Sequence, residues 1–422
     1  MTEQVYDNNY DKRYELIVVV LITLSFGFEF LDRLAMSYLL PVIQPELHIT
    51  NTQIGLLGFI NTGAYSISAV VFGIIQDKTG RRKVWFVTWM FLTFVATAVT
   101  AMVSSYEQLF VVRFFVGIVE GPLLGLFGCF LMQAGPKNFG RNYGIANAGV
   151  GLIAITLGPI MVTQLVQHFS WQRTYLLVAI PTLILTILLG IFLKEIHMDP
   201  EEARRQKEEL KKAGGVLSMF KIRNVTLGIF ANIFLFCGYW TLMLYGPLYL
   251  TNVGGYTVEQ MGFISSTMGV LYLIWCVVTP KVSDIVGRRP AVIVAAILTS
   301  LSPFCMAVFP GTIIATIAYV AFTGMNSSMV PVLSGVIPIE SVQEQLRTSA
   351  QGVSHGAGEF IGGACLPIGV GKVADNVGLA PGFMIGATAL WLTAITTFFL
   401  KETNPVVLAK RAAKAKEQGL DA

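Results

Sequence analysis

Twelve stretches of about twenty apolar residues, each nearly free of charge, constrain this chain more than any other feature. They start near residues 15, 54, 84, 107, 143 and 174, and again near 225, 260, 289, 312, 348 and 382. A helical run of that length spans the hydrocarbon core of a bilayer. Inside that core every backbone N–H and C=O must find its partner within the protein, which leaves helices or closed barrels. Barrel strands alternate apolar and polar residues at period two, whereas these runs are unbroken. Composition agrees: of 422 residues, 54% are hydrophobic and 13% are charged, about half the charge of an ordinary soluble domain. Soluble multidomain, disordered, collagenous and disulfide-scaffold readings fail on the same numbers. The expected fold class is an all-α polytopic membrane protein with twelve transmembrane helices.

The one long hydrophilic stretch inside the chain, Glu195 to Arg223, divides the runs six and six. Its segment PEEARRQKEELKK reads as a solvated helix or linker. The expected organisation is a tail over 1–14, a six-helix bundle over 15–196, a linker over 197–223, a second bundle over 224–402 and a tail over 403–422. Met1 to Arg13 is polar and leads into a full-length span, unlike a cleavable signal. Basic residues then set the orientation. With both termini cytoplasmic, the cytoplasmic side holds Lys78, Arg81, Arg82, Lys83, Lys137 and Arg141, then the linker, Lys281, Arg288, Arg289, Arg347 and the tail. The opposite loops hold little beyond Arg173 and Lys372. Cys129, Cys237, Cys276, Cys305 and Cys365 stand singly in apolar segments and read as small buried hydrophobes, not metal ligands.

Each half repeats one signal. Between the second and third runs stand Gly73, Asp77, Gly80, Arg81, Arg82 and Lys83; between the eighth and ninth stand Asp284, Gly287, Arg288 and Arg289. Glycine makes the tight turn, while the aspartate receives hydrogen bonds from arginine and a neighbouring helix end. Such a pairing works as a conformational latch, formed in one state and broken in another. The first copy resembles the signature G-x-x-x-D-x-x-G-R-R-[KR] of the major facilitator superfamily, and the resemblance covers essentially the whole chain. It implies two six-helix bundles rocking about a central site near the membrane midplane. Gly149 to Pro159 only loosely resembles that superfamily's Gly-Pro motif, and nothing about antiport follows from it.

Ionisable residues inside the apolar runs carry the functional information. A charge at the bilayer centre costs at least about 2.5–3.5 kcal/mol, so each one asks for a partner or a task. Glu29, Asp32 and Arg33 share one face of the first run, at i, i+3 and i+4. Arg113 and Glu120 lie two turns apart on the fourth, and His355 and Glu359 one turn apart on the eleventh. The plainer reading is a set of structural ion pairs that lock helices together. The functional reading is that arginine forks bind a carboxylate while nearby acids exchange a proton.

A finer resemblance bears on this choice. Phe30-Leu31-Asp32-Arg33, Pro41 with Glu46-Leu47, Gln53-Ile54-Gly55 and Ala64-Tyr65 resemble the anion:cation symporter family, which includes proton-coupled transporters of sugar acids. The resemblance implies substrate contacts at Arg33, Arg113, Tyr65 and Phe30 and protonation at Asp32 and Glu120, with Glu29 a further acid. Two positions depart from the sugar-acid pattern: Phe30 stands where a tyrosine is usual, and Glu359, with His355 a turn before it, stands where a neutral asparagine is usual. These weaken a polyhydroxylated substrate and allow a less polar carboxylate or one bearing a cationic group. The same Asp-Arg and Arg…Glu pattern also resembles spinster-like lysolipid transporters.

Other residues read as structural. Gly117, Gly121 and Gly125 form small-xxx-small steps on the fourth run, as Gly358 and Gly362 do on the eleventh. Pro247 and Pro331 bend helices, and Trp171 to Tyr175 positions them. Tyr239, Trp240 and Tyr245 suit a cavity wall or an interface; Asn147, Asn232 and Asn326 are polar groups available to a substrate. The expectation is a proton-coupled symporter of a small organic anion in a cell or inner membrane. It needs no cofactor beyond the proton gradient, no metal and no nucleic acid; its partners are substrate, protons and lipid, and it works as a monomer. The alternatives are an exporter of amphipathic or cationic compounds using Glu29, Glu120 and Glu359, and a spinster-like lipid transporter. An enzyme is not expected, since the chain holds no nucleotide loop, metal cluster or nucleophile constellation.

Overall fold

The computed structural model describes residues 12–79, 81–195, 218–343 and 346–410; the sequence-expected linker helix and most of both tails lie outside these. Every regular element among the described residues is helical. In chain order these are α1 (Lys12–Leu47), α2 (Asn51–Thr79), α3 (Arg82–Thr100), α4 (Tyr106–Ala134), α5 (Pro136–His168) and α6 (Trp171–Phe192). Then follow α7 (Arg223–Asn252), α8 (Val258–Val286), α9 (Arg288–Val308), α10 (Ile313–Ser341), α11 (347–377) and α12 (Leu379–Phe398). Eleven of them are long and apolar enough to cross a membrane. The remaining one, α11, is helical throughout but carries Gln351, Ser354, His355 and Glu359 in its first half. The expected starts fall within a few residues of the observed ones except at α5, which begins several residues earlier than its apolar run.

The outward faces explain the composition. Ile67, Val70 and Ile74 of α2, Ile184, Ile187 and Ile191 of α6, and Ile313, Ile314 and Ile317 of α10 all stand exposed. In water such stripes would be a liability; against lipid tails they are the required surface.

Two compact units emerge among the described residues: 12–49, 60–195 and 256–270 form the first, and 50–59, 218–255 and 271–410 form the second. Within the first, α1 packs on α5 and α6, and α3 on α4 and α6. The segment 256–270 joins it through small residues: a Cβ at Gly262 would meet the Thr163 side chain, and one at Gly269 the Ile155 carbonyl. Within the second unit, α12 packs on α7 and α9, and α9 on α10. Residues 50–59 join it where Asp375 caps the start of α2. Its Oδ1 accepts from the Asn51 amide at 2.7 Å and its Oδ2 from the Thr52 amide at 2.8 Å.

Three helices contain a wider π-turn: α5 at Gly151–Leu157, α10 at Pro331–Val336 and α11 at Gly358–Cys365. Such turns leave carbonyls without their usual helical donor, and side chains supply it. The Thr156 hydroxyl donates to the Gly151 carbonyl at 2.8 Å, and the Tyr38 hydroxyl to that of Ala154 at 3.1 Å. In α10, Asn232 Nδ2 reaches the Leu333 carbonyl at 3.1 Å, while Asn232 Oδ1 accepts from Ser334 Oγ at 2.6 Å. Asn232 is thereby a structural pin for the π-turn. Pro331 opens a π-turn, whereas Pro247 lies within continuous α7.

The small-residue steps are partly realised. A Cβ on Gly117 would run into the Asn61 carbonyl, and one on Gly121 into Ser68 and the Tyr65 carbonyl, so α4 seats directly on α2. Gly358 and Gly362 seat α11 on α7 in the same way. Gly125 is a correction, because nothing lies within 4 Å of a Cβ built there. Overpacking costs about 1–3 kcal/mol, so Gly121→Val should lower the unfolding temperature of the purified protein markedly while Gly125→Ala leaves it unchanged; thermal unfolding in detergent reads both.

Candidate functional site

The first unit gathers the buried charges. Glu29, Asp32 and Arg33 of α1 and Arg113 and Glu120 of α4 are each under a tenth exposed, with Glu120 fully enclosed. The close seating of α4 on α2 at Gly117 and Gly121 is what lets Glu120 approach α1. Arg33 Nε stands 3.8 Å from Glu120 Oε2. The Arg33 guanidinium lies over the Tyr65 ring at 4.2 Å and near the Phe30 ring at 5.5 Å, both within cation–π range. Glu29 and Asp32 sit close enough to Glu120 to act on it electrostatically. Asp32 Oδ2 is held by the Thr97 hydroxyl of α3 at 2.7 Å.

Arg113 is placed differently. Its guanidinium lies over the Tyr175 ring of α6 at 4.8 Å, and its backbone carbonyl accepts from Asn61 Nδ2 at 3.1 Å. Arg113 is 2% exposed, yet Nε and Nη2 make no hydrogen bond among the described residues. Those two nitrogens form one edge of the guanidinium, the edge that grips a carboxylate through two parallel bonds. A buried donor left unmade costs about 1–3 kcal/mol, more for a charged group. Asp32 Oδ1 and both Glu120 oxygens also lack a hydrogen-bond donor.

His355 and Glu359 belong to the second unit. Glu359 Oε2 accepts from Trp240 Nε1 at 3.3 Å, and the His355 ring stands edge-on to Phe236 at 5.1 Å. Tyr245 donates to the Asn51 and Pro367 carbonyls, which makes it structural. Asn147 bonds its own helix at the Tyr143 carbonyl. Asn326 is fully buried, and both polar atoms of its side chain lack a partner among the described residues.

The latch is resolved best in its second copy. Gly287 adopts φ +111°, a conformation that favours glycine, and so makes the expected turn. Arg288 pairs with Asp284 and, through Nη2, with Glu340 at 3.1 Å. The Arg288 and Arg289 amides at the start of α9 donate to Glu402 at 2.8 and 3.2 Å. In the first copy the Lys83 amide, at the start of α3, donates to Glu195 at 2.8 Å. Arg81 precedes α3 and Arg82 opens it. Gly80 and the Asp77 side chain lie outside the described residues. Nothing lies within 4 Å of a Cβ built at Gly73, so packing does not demand glycine there.

Sequence reading missed several of these partners. Tyr175, taken as a helix-positioning residue, carries Arg113. Thr97 and Asn61 had no signal, being ordinary polar residues inside apolar runs. Glu195 and Glu402 did have one: Leu193-Lys194-Glu195 and Leu400-Lys401-Glu402 are the same tripeptide, 207 positions apart, as are Asp77 and Asp284.

Residues 22–367 match the model of the Major Facilitator Superfamily. The chain belongs to that superfamily. It is a multi-pass integral membrane transporter whose relatives carry small molecules, and enzymatic activity is no part of the family. It is similar to the hexuronate transporter of Bacillus subtilis, 27% identical over 66% of each chain. It is also similar to a putative tartrate transporter of Agrobacterium vitis, 24% identical over 94% of this chain and 92% of that one. Among solved structures, a D-xylose-proton symporter superposes with TM-score 0.73 at 19% identity, over 92% of this chain and 99% of that one. A bacterial homologue of the lysosomal transporter Spinster, inward-facing, superposes with TM-score 0.69 at 16% identity, over 92% and 95% of the two chains. These structural likenesses bear on fold alone.

Removing one partner of a buried ion pair costs about 3–5 kcal/mol, because the survivor is left uncompensated. Arg33→Leu should therefore destabilise the transporter strongly, and Arg33→Leu combined with Glu120→Gln should regain most of the loss. Thermal unfolding of both variants decides it; equal losses would mean that the Arg33–Glu120 contact contributes nothing.

Proposed function

We propose that this transporter carries a small organic anion into the cell together with protons, by alternating access in an inner membrane with both termini cytoplasmic. One observation carries the reading: the Nε–Nη2 edge of Arg113 is buried and unbonded, in the geometry a carboxylate takes. The Tyr175 ring beneath it fixes the guanidinium plane, so the fork is set before the anion arrives.

Charge balance supplies the coupling. Glu29, Asp32 and Glu120 oppose Arg33 and Arg113, so the cluster is one negative charge in excess when all are ionised, and a bound carboxylate adds another. In a medium of low dielectric that excess is costly, and protons taken up by the acids remove it. Glu120 is the natural receiver, since protonation there also releases its hold on Arg33 and leaves a second guanidinium for the anion. Asp32 is the second proton site and Glu29 a further acid. Phe30 and Tyr65 wall the Arg33 side with an apolar ring and an amphipathic one. Two relatives support the substrate class by name, one for hexuronate and one for tartrate. Glu359 and His355 are proposed as the second unit's contributions to substrate recognition.

The experiment is proton flux in proteoliposomes challenged with hexonates, aromatic acids, short dicarboxylates and an organic cation. External alkalinisation should follow one class of anion and vanish in Glu120→Gln. Arg113→Lys keeps the charge but loses the fork, and should lower kcat/KM for that anion about ten- to hundredfold. A response to the cation alone would overturn the reading.

A further inference from the structure

The Thr97 hydroxyl carries one proton and stands in two hydrogen-bond contacts. Its oxygen is 2.7 Å from Asp32 Oδ2 and 2.9 Å from the Thr93 carbonyl one turn back on α3. A carbonyl can only accept, and so can an ionised carboxylate. A single hydroxyl proton cannot fill both contacts at once. Both are filled together only when a second proton sits on Asp32, so that the carboxyl donates to Thr97 while Thr97 donates to Thr93. The other oxygen agrees with this assignment: Asp32 Oδ1 is buried and has no donor among the described residues, as suits the carbonyl oxygen of a neutral acid.

We propose that Thr97 is a two-way hydrogen-bond switch that sets the proton affinity of Asp32. With Asp32 protonated, the chain of bonds runs from Asp32 to Thr97 to the Thr93 carbonyl. When the proton leaves Oδ2 for water, the Thr97 hydroxyl turns and donates to the carboxylate, and the Thr93 carbonyl keeps its helical amide partner. No other bond is made or broken. Thr97 is itself 2% exposed, so water does not compete for either position. A hydrogen bond to an ionised acceptor is about twice as strong as a neutral one, so the hydroxyl favours the ionised form on balance. It lets Asp32 give up its proton within a cluster where the negative neighbours Glu29 and Glu120 oppose release. Arg33 and Arg113 favour release, and Tyr175, which also faces Asp32, carries no charge until it loses its own proton. Thr97 is a positioning residue in this scheme: it touches Asp32 and need not touch substrate.

The inference rests on Asp32 as a proton site, but its test does not require transport. Infrared difference spectra of the full-length protein in lipid, taken across a pH series, report the C=O stretch of a protonated carboxyl group. In wild-type protein one such band should disappear with rising pH, and Asp32→Asn should remove it. Thr97→Val keeps the shape and removes the hydroxyl; the midpoint of that band should rise by about one pH unit. Thr97→Ser restores the hydroxyl and should return the midpoint to near wild type. A midpoint unmoved in Thr97→Val, or the lack of any band dependent on Asp32, overturns the proposal. Should the anion panel fail to drive protons while the midpoint still moves, the symport reading falls and the switch stands.

Discussion

An ionised side chain in the bilayer core has no water to turn to, and the first unit is arranged around that fact. Three acids and two arginines are enclosed among α1, α2, α3, α4 and α6. Each arginine lies against an aromatic ring, and only one of them stands close to an acid of the cluster. A helix pair sealed for stability alone would satisfy every fork. Here Glu120 is held near Arg33 at a loose 3.8 Å, and an edge of Arg113 is left open. The cluster is therefore closer to a charged spring than to a rivet, and it answers to whatever anion or proton enters.

The halves of the chain solve their helix-end problem twice in the same way. The amide groups that open α3 and α9 have no partner within their own helices, and each start is capped by a glutamate that follows the sixth span of its half. The arginine motif of the second half does more than place positive charge: Arg288 ties Asp284 to Glu340, while Glu402 holds the α9 backbone. Such a cap can be undone without unfolding either helix, because the glutamate lies beyond the helix it serves. That is the property a rocking transporter asks of a contact on one side of the membrane.

Much of this was legible in the sequence. Length and charge-free character gave the spans, since lipid permits few alternatives, and the i, i+3, i+4 spacing of Glu29, Asp32 and Arg33 put them on one face because helical geometry leaves no choice. The long reach between elements was not legible. Nothing in the Thr97 neighbourhood marks it as a partner of a residue 65 positions earlier, and Tyr175 looks like any aromatic near a helix start. Gly125 continues the spacing of Gly117 and Gly121 yet packs on nothing, because four-residue spacing drifts around a helix and the facing element ends its contact. The π-turns escaped for a related reason: periodicity reading assumes 3.6 residues per turn throughout, and three helices here locally depart from it.

Those turns also carry a consequence for how the chain tolerates change. A π-turn is in effect one residue inserted into an α-helix, and each residue advances the helix by about 100° and about 1.5 Å. The turn at Gly151–Leu157 therefore sets the phase of everything in α5 that follows it, including the Thr163 side chain that faces Gly262. Removing any one residue there would let the turn relax to an ordinary α-helix while dialling the remainder of the span a quarter-turn out of register. Substitutions in this stretch perturb one contact at a time; a single-residue deletion would perturb them all. The second-half turn at Gly358–Cys365 begins 207 positions after the first, so the same phase correction is kept in both halves. In these segments it is the number of residues, more than their identity, that the architecture holds fixed.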